Sequence, residues 1–181
     1  MRNFTMPLDD RITPDNVRQH FQDRGFFFQE IEDVGAIVKE AYDCKRIKSV
    51  VFQRFNDSLH SNPLLAKLLE DHCENSKVTW AWGKCYGFYA WDNLSSPQKD
   101  SIILYMLAPQ SHAFCAVGSH RDKKEIKSAY GNGALELKDE VLASYDKEDV
   151  KTELGGVLCI SPSLGHKMLD GYSKMFTMTR K

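Results

Sequence analysis

The chain has 181 residues, of which 42% are hydrophobic and 11% aromatic, and this length and composition suit one globular domain with its own core. Its formal net charge is −1, so the charge balance favours neither nucleic acid nor an anionic membrane as a partner. The five cysteines contain no C-x-x-C pair, and no apolar run approaches a bilayer span or a signal-peptide core, so we expect reduced thiols and a cytoplasmic protein.

The N-terminal part predicts three helices and one strand. Thr13-Pro14-Asp15 is typical of a helix start, and Gly25 of the stop after Arg24. A strand is expected to begin at Phe26-Phe27-Phe28. Two further helices are predicted over Val34 to Asp43 and, after Asn62-Pro63, over Leu64 to about His72.

Residues 78–92 (VTWAWGKCYGFYAWD) form an aromatic stretch that we interpret as one strand. If the stretch is a strand, its side chains are mostly large on one face and small on the other. This pattern is typical of a strand inside a curled sheet or barrel. The large face would carry Trp80, Trp82, Tyr86 and Phe88, together with Ala90 and Asp92. Such a set is consistent both with filling a core and with lining a ligand pocket.

The segment from Ser101 to His120 predicts two apolar strands, Ile102 to Leu107 and Ala113 to Val117, joined by a turn. The first is continuously apolar, as expected for a strand buried on both faces. Later strands are predicted over Val157 to Ile160 and Lys174 to Arg180. The polar stretch before these two strands, from Arg121 to Glu153, is predicted to be a long solvent-exposed segment. This element order favours an α+β fold with a jelly-roll-like core.

Three segments carry a resemblance to a known family. The start TPDNVRQHFQDRGFFFQEI, the strand end Gly118-Ser119-His120-Arg121, and Gly156-Val157-Leu158 leading to His166 resemble the phytanoyl-CoA dioxygenase-like branch of the Fe(II)/2-oxoglutarate oxygenases. The resemblance covers residues 12–178. It implies that residues 1–181 form a single domain, a degenerate double-stranded β-helix (jelly roll) with N-terminal helices.

The resemblance also implies where iron would be held. Members of that family use a His-x-Asp pair and a distal His, which leave positions open for 2-oxoglutarate and oxygen. His166 stands in the distal place, and Ala90-Trp91-Asp92 is the best match to the pair. Because Ala90 replaces the first histidine, Ala90, Asp92 and His166 would be vestigial, and no catalytic, cofactor or metal residue is expected. The 2-oxoglutarate arginine has no good counterpart among Lys174, Thr177 and Arg180.

Two alternatives stay open at this stage. His120-Arg121-Asp122 is a literal His-x-Asp, so an independent oxygenase could use His120, Asp122 and His166. His120 and Asp122 also have a structural interpretation, in which His120 packs or hydrogen-bonds at a strand end and Asp122 begins the solvated stretch.

The second alternative is a cofactor-free isomerase or small-molecule binding protein that uses the aromatic segment as its pocket.

The absence of the metal triad makes the chain similar to a particular kind of relative, the shortened accessory subunit of heterodimeric oxygenases in fungal meroterpenoid biosynthesis. That resemblance implies a catalytic homologue as partner, which would hold the Fe(II) and 2-oxoglutarate, and a terpenoid-type substrate near the interface. On that basis we expect the apolar strands from Ile102 to Val117 and the Phe26-Phe27-Phe28 segment to leave exposed edges for the partner.

Overall fold

A computed structural model describes residues 11–91, 101–122, 125–130 and 133–181, with the backbone alone for residues 75–80. Its N-terminal part contains α1 (Val17–Arg24), β1 (Phe26–Glu30), α2 (Glu32–Asp43), α3 (Asn56–Ser61) and α4 (Pro63–Leu69). Gly25 ends α1 in the left-handed conformation, at φ 82°. None of the helices described here combines the length and the apolar character needed to cross a membrane.

The predicted N-terminal elements are present because their local signals are strong. The Asn62 side chain accepts hydrogen bonds from the backbone N–H groups of Leu64 and Leu65, both at 3.1 Å, and Pro63 occupies the first turn of α4. Such a cap satisfies donors that a helix start otherwise leaves unpaired. The start of α1 differs from the prediction, since Asn16 rather than Thr13 precedes its first residue.

The strands form two antiparallel sheets. The remaining elements in chain order are β2 (His72–Gly83), β3 (Phe88–Trp91), β4 (Ile102–Leu107), β5 (His112–Ala116), β6 (Ile126–Ala129), β7 (Ala134–Leu137), α5 (Asp139–Leu142), β8 (Lys147–Lys151), β9 (Gly156–Ile160), β10 (His166–Asp170) and β11 (Tyr172–Arg180). The first sheet has the order β1-β9-β4-β11-β2 and the second the order β6-β7-β3-β10-β5-β8.

The strand order defines the architecture. From β2 to β5 the chain alternates between the first and second sheets, and from β8 to β11 it alternates again. This winding is a double-stranded β-helix, or jelly roll, so the predicted α+β class and jelly-roll core are confirmed. The helices α1 to α4 pack on the outer face of the first sheet.

Alternation along the strands separates two cores. In β4, Leu104 and Met106 pack towards the helices, whereas Ile103, Tyr105 and Leu107 point between the sheets. All six side chains of β4 are buried, as the continuous apolar run predicts. A smaller third cluster lies on the outer face of the second sheet, against Leu142 of α5.

Two predictions about the middle of the chain are wrong. Residues 78–92 are not one strand, because the chain leaves β2 after Gly83 and re-enters the second sheet at Phe88. The stretch from Arg121 to Glu153 is not a solvated excursion: it supplies β6, β7 and β8, which extend the second sheet at both ends. Two ion pairs of this stretch, Lys127–Glu136 and Lys138–Glu125, have a distance of 2.7 Å each.

Most of the apolar surface that the sequence predicts to be exposed is buried. Phe26 and Phe27 are each 2% exposed, and the β4 residues are no more than 4% exposed. The reason is topological: β1 pairs with β9 and packs against α1, and β4 lies in the middle of the first sheet. β1 is nevertheless an edge strand of that sheet, and Phe28 of β1 and Phe114 of β5 are half-buried.

Candidate functional site

The interior between the two sheets contains one polar cluster, which we call the buried trio: Trp91 on β3, Tyr105 on β4 and His166 on β10. The Trp91 indole Nε1–H donates to the Tyr105 hydroxyl at 2.7 Å, and this hydroxyl lies 2.8 Å from His166 Nε2. His166 Nδ1 lies 3.1 Å from the carbonyl oxygen of Leu164. All three side chains are almost completely buried.

These contacts allow only one proton arrangement in a neutral trio. Since the Leu164 carbonyl can only accept, His166 carries its proton on Nδ1, and Nε2 must accept from the Tyr105 O–H. The Tyr105 oxygen in turn accepts from Trp91. The hydrogen bonds thus run in one direction, from indole to phenol to imidazole to backbone carbonyl, and they satisfy every polar group of the trio.

Burial fixes the charge state of the trio. Desolvation lowers the pKa of His166 to about 4, although the backbone carbonyls of Leu164 and Tyr89 favour its charged form. Desolvation also raises the pKa of Tyr105 well above its ordinary value, against the opposing effect of the Trp91 hydrogen bond. At neutral pH both groups are uncharged, and the trio is an uncharged polar network inside an apolar core.

Strand register brings the trio together. His166 lies opposite Tyr89 on β3 and opposite Cys115 on β5, at the start of β10. Tyr105 crosses from the first sheet, where it lies between Leu158 and Met175 of the neighbouring strands. Trp91 is the last residue of β3 and points inward, because Tyr89 and Trp91 share the inner face of that strand.

The structure places the predicted vestigial positions differently. His166 lies inside the barrel, but Ala90 belongs to the outer cluster with Phe88 and Leu137 and so faces away from it. Asp92 lies outside the described residues. The break between β2 and β3 interrupts the alternation predicted from Trp80: Trp82 packs inward on β2, whereas the inward residues of β3 are Tyr89 and Trp91.

The alternative triad is not assembled. The His120 Nε2–H donates to the Gln22 carbonyl at 2.9 Å, and the ring lies beside Gly25 at the end of α1. Asp122 accepts from the Tyr145 hydroxyl at 2.6 Å at an exposed position. His166 is committed to Tyr105 in the interior. His120, Asp122 and His166 therefore each have separate surroundings, and the structural interpretation of the first two agrees with these contacts.

The three candidates for a 2-oxoglutarate cation fail for different reasons. The Lys174 ammonium faces the helices, where it donates to the Lys48 carbonyl at 3.0 Å and lies 5.5 Å from the centre of the Phe176 ring. Burial lowers the pKa of Lys174. Thr177 is buried but carries no charge, and Arg180 lies exposed at the end of β11.

Comparison with known proteins supports the architecture. No protein family profile and no curated protein matches the sequence. Among solved structures, the chain is similar to the non-heme alpha-ketoglutarate-dependent carbocyclase SnoK from nogalamycin biosynthesis, with a TM-score of 0.58 and 11% identity over 94% of this chain and 85% of that one. It is also similar to the iron-bound EctD from S. alaskensis, with a TM-score of 0.57 and 10% identity over 96% and 79%.

A third similar structure is HygX from Streptomyces hygroscopicus with nickel and 2-oxoglutarate bound. Its TM-score is 0.56, at 12% identity over 94% of this chain and 87% of that one. The chain has the fold of the non-heme iron, 2-oxoglutarate-dependent oxygenases. At these identities the likeness extends to the fold alone, so the chemistry must be judged from this chain's own residues.

The interior residues that the structure describes do not fit an iron centre of that kind. Such a centre needs two imidazoles and a carboxylate with free lone pairs. Here the Nε2 lone pair of His166 is used by Tyr105, and the neighbouring inward residue on β3 is Trp91, whose indole N–H is a donor only. Within the part of the chain that the structure describes, no three His, Cys, Asp or Glu side chains are grouped for a metal.

The cysteines add no reactive site in the interior. Burial raises the pKa of Cys115 to about 12 and raises that of Cys159 as well, so both remain thiols in the apolar core. Cys85 is partly buried, and desolvation raises the pKa of its thiol despite contacts with Met168 and Trp82 that favour the thiolate. Its neighbour Lys84 in the sequence does not activate it.

Proposed function

We propose that this chain is a non-catalytic subunit with an oxygenase fold, which pairs with a catalytic Fe(II)/2-oxoglutarate oxygenase. The observation that carries the proposal is the buried trio, because it commits His166, the expected distal iron ligand, to a hydrogen bond with Tyr105. A side chain whose lone pair is satisfied in a dry core gains little from exchanging that partner for a metal.

The retained scaffold supports a role in binding. The complete eight-strand winding is preserved around an interior that holds a neutral aromatic and histidine network. A fold kept without its chemistry is expected to serve by presenting surfaces. The outermost strand β6 presents Ile126, 46% exposed, at the free edge of the second sheet, and Tyr130 just beyond it is equally exposed.

The partner would supply what this chain lacks. On the resemblance stated above, the partner subunit holds Fe(II) and 2-oxoglutarate, and a terpenoid-type substrate of fungal meroterpenoid biosynthesis lies at or near the interface. This chain would stabilise the partner and help to shape its pocket. A specific and stable pair of that kind would bury about 1,200–2,000 Å².

Two measurements test the proposal. The purified chain, supplied with Fe(II) and 2-oxoglutarate, is expected to retain far less than one iron per chain and to form no succinate. Co-expressed with a catalytic homologue encoded beside it, the chain is expected to elute as a one-to-one complex that does form succinate. His166→Gln in this chain should leave the turnover of the complex unchanged, since Gln can keep both the donor and the acceptor that the trio requires.

Two results would contradict the proposal. Near-stoichiometric iron in the isolated chain, lost in the His166→Gln variant, would show that the histidine is a ligand after all. A chain that forms no complex with any catalytic homologue encoded beside it would exclude the subunit role.

A further inference from the structure

A cavity of about 270 Å³ opens on the side of the barrel where the edge of the first sheet faces the second sheet. We call it the side pocket. It lies between the end of β2, the turn that leads into β3, and the two residues Tyr130 and Ala134. Its lining is supplied by Trp82, Lys84, Cys85, Tyr89 and Tyr130, with small residues between them. It is separate from the buried trio, although Trp82 packs edge-on against Trp91 at 5.1 Å between ring centres.

Aromatic rings form the walls of the side pocket. Trp82 and Tyr89 meet edge-to-face, with 5.4 Å between ring centres and 77° between planes, and Tyr130 lies 6.1 Å from Tyr89. The Tyr130 hydroxyl donates to Glu136 at 2.7 Å, which holds the ring in place. Rings fixed before a ligand arrives offer flat apolar contact at little entropic cost.

One charged group of the side pocket is available to a ligand. Lys84 is exposed and makes no hydrogen bond or ion pair with any residue that the structure describes. The Trp82 indole Nε1 is buried beside the Cys85 thiol, so Trp82 offers a ligand its ring alone. Glu136, which holds Tyr130, is neutralised by Lys127 at 2.7 Å. Among the described residues, the uncompensated charge at the side pocket is therefore positive.

We infer that the side pocket binds a planar, apolar organic anion. The rings of the ligand would lie against Trp82, Tyr89 and Tyr130, and its anionic group would reach Lys84. All of these groups belong to this chain, so the site does not depend on the proposed subunit role and needs no partner to be measured.

The test compares two fluorescent probes with nearly the same aromatic body. 1-Anilinonaphthalene-8-sulfonate is an anion, and N-phenyl-1-naphthylamine is neutral. Calorimetric titration of the full chain is expected to show one anionic probe per chain, bound more tightly than the neutral probe. Lys84→Gln should weaken the anionic probe by about three- to five-fold and leave the neutral probe unchanged. Lys48→Gln, which removes an exposed lysine on the helix side, should change neither.

The aromatic wall is tested separately. Tyr130→Ala should weaken both probes by about ten-fold, whereas Tyr130→Phe keeps the ring and should retain the affinity. Melting temperatures of the Lys84 and Tyr130 variants exclude unfolding as a cause. The inference is overturned if the anionic probe is indifferent to Lys84→Gln, if Lys48→Gln weakens it equally, or if Tyr130→Ala changes neither probe.

Discussion

Tyr105 is the residue on which the interior depends, because its single hydroxyl serves two neighbours at once. It accepts from Trp91 and donates to His166, with heavy-atom distances of 2.7 and 2.8 Å. Removing that hydroxyl leaves a buried donor and a buried acceptor without partners. Each group left in that state costs about 1–3 kcal/mol.

We therefore expect Tyr105→Phe to lower the free energy of unfolding by about 2–4 kcal/mol, although the ring still fills the same space. Tyr145→Phe is the matched control, since it deletes a hydroxyl that donates to Asp122 at an exposed position. The free energy of unfolding of that control should lie within about 0.5 kcal/mol of the parent's value. Urea unfolding measures both, and equal effects in the two variants would show that the trio does not stabilise the core.

His166 makes stability depend on pH in a definite direction. Its pKa is about 4 in the folded chain and returns to 6.5 on unfolding. The unfolded chain therefore takes up a proton that the folded chain refuses, so stability falls as the pH drops from about 6.5 to about 4. The loss attributable to this one group is about 3 kcal/mol.

Replacing the titrating group tests this contribution. His166→Gln keeps a donor and an acceptor but cannot take up the proton, so its stability should fall less steeply than that of the parent over the same pH window. Urea unfolding at pH 7, 5.5 and 4 gives the free energy of unfolding of both proteins. The difference between the two values at each pH removes the contribution of the carboxylates, because these titrate in both proteins. Parallel curves would mean that His166 is not buried in its neutral form.

At the scale of elements, the backbone of α2 lies in direct contact with the backbone of the loop that follows β8. A Cβ atom on Gly35 would overlap the carbonyl oxygen of Leu154, and Gly155, at φ 95°, packs against Gly35 in turn. Glu30 secures the same loop, accepting from the Thr152 hydroxyl at 2.5 Å and from the N–H groups of Glu153 and Leu154. Because the atoms that face Gly35 are backbone atoms of this loop, they cannot move aside as a flexible side chain can.

Gly35→Ala is accordingly expected to destabilise the chain by more than about 3 kcal/mol, because the helix must lift away from the loop. Gly83→Ala is the control: its added methyl group would meet nothing closer than the Gly171 carbonyl oxygen at 3.7 Å, and it should cost less than about 1 kcal/mol. Thermal unfolding followed by circular dichroism compares them. A stable Gly35→Ala protein would show that the two backbones can separate without loss.

Local signals explain which elements could be predicted from sequence. The cap at Asn62, the stop at Gly25 and the apolar run of β4 each act within a few residues, and the structure confirms all three elements. The turn after Gly83 and the strands β6 to β8 depend on pairing with distant strands, which polar composition conceals. The inward position of Trp91 could not be predicted for the same reason, because a shift of one residue moves a side chain to the opposite face of its sheet.

At the scale of the whole molecule, the residues that the structure describes form no large apolar surface of the kind predicted from the sequence. The large apolar side chains that are exposed among the described residues are Tyr42, Val51, Tyr86, Ile126, Tyr130 and Leu154. Scattered residues of this kind are ordinary on monomeric proteins. The reason for expecting poor behaviour in isolation therefore disappears once the strands are placed.

We expect the isolated chain to elute as a monomer of 20.7 kDa in size-exclusion chromatography with light scattering. The measured molar mass should increase by that of one partner chain when a catalytic homologue is added. Concentration-dependent aggregation of the isolated chain would instead indicate that an apolar face outside the described residues is uncovered.

The one-way hydrogen bonding of the trio also bears on how such a protein can evolve. Restoring a metal ligand at position 91 or 105 removes a donor or an acceptor on which the remaining members depend, and each orphaned group costs about 1–3 kcal/mol. A domain of this size has only about 5–15 kcal/mol of stability in total. On the proposed function, a step towards iron binding at either of these positions would therefore pass through a less stable protein before any activity could be selected. The trio would then make the loss of iron chemistry easier to keep than to reverse.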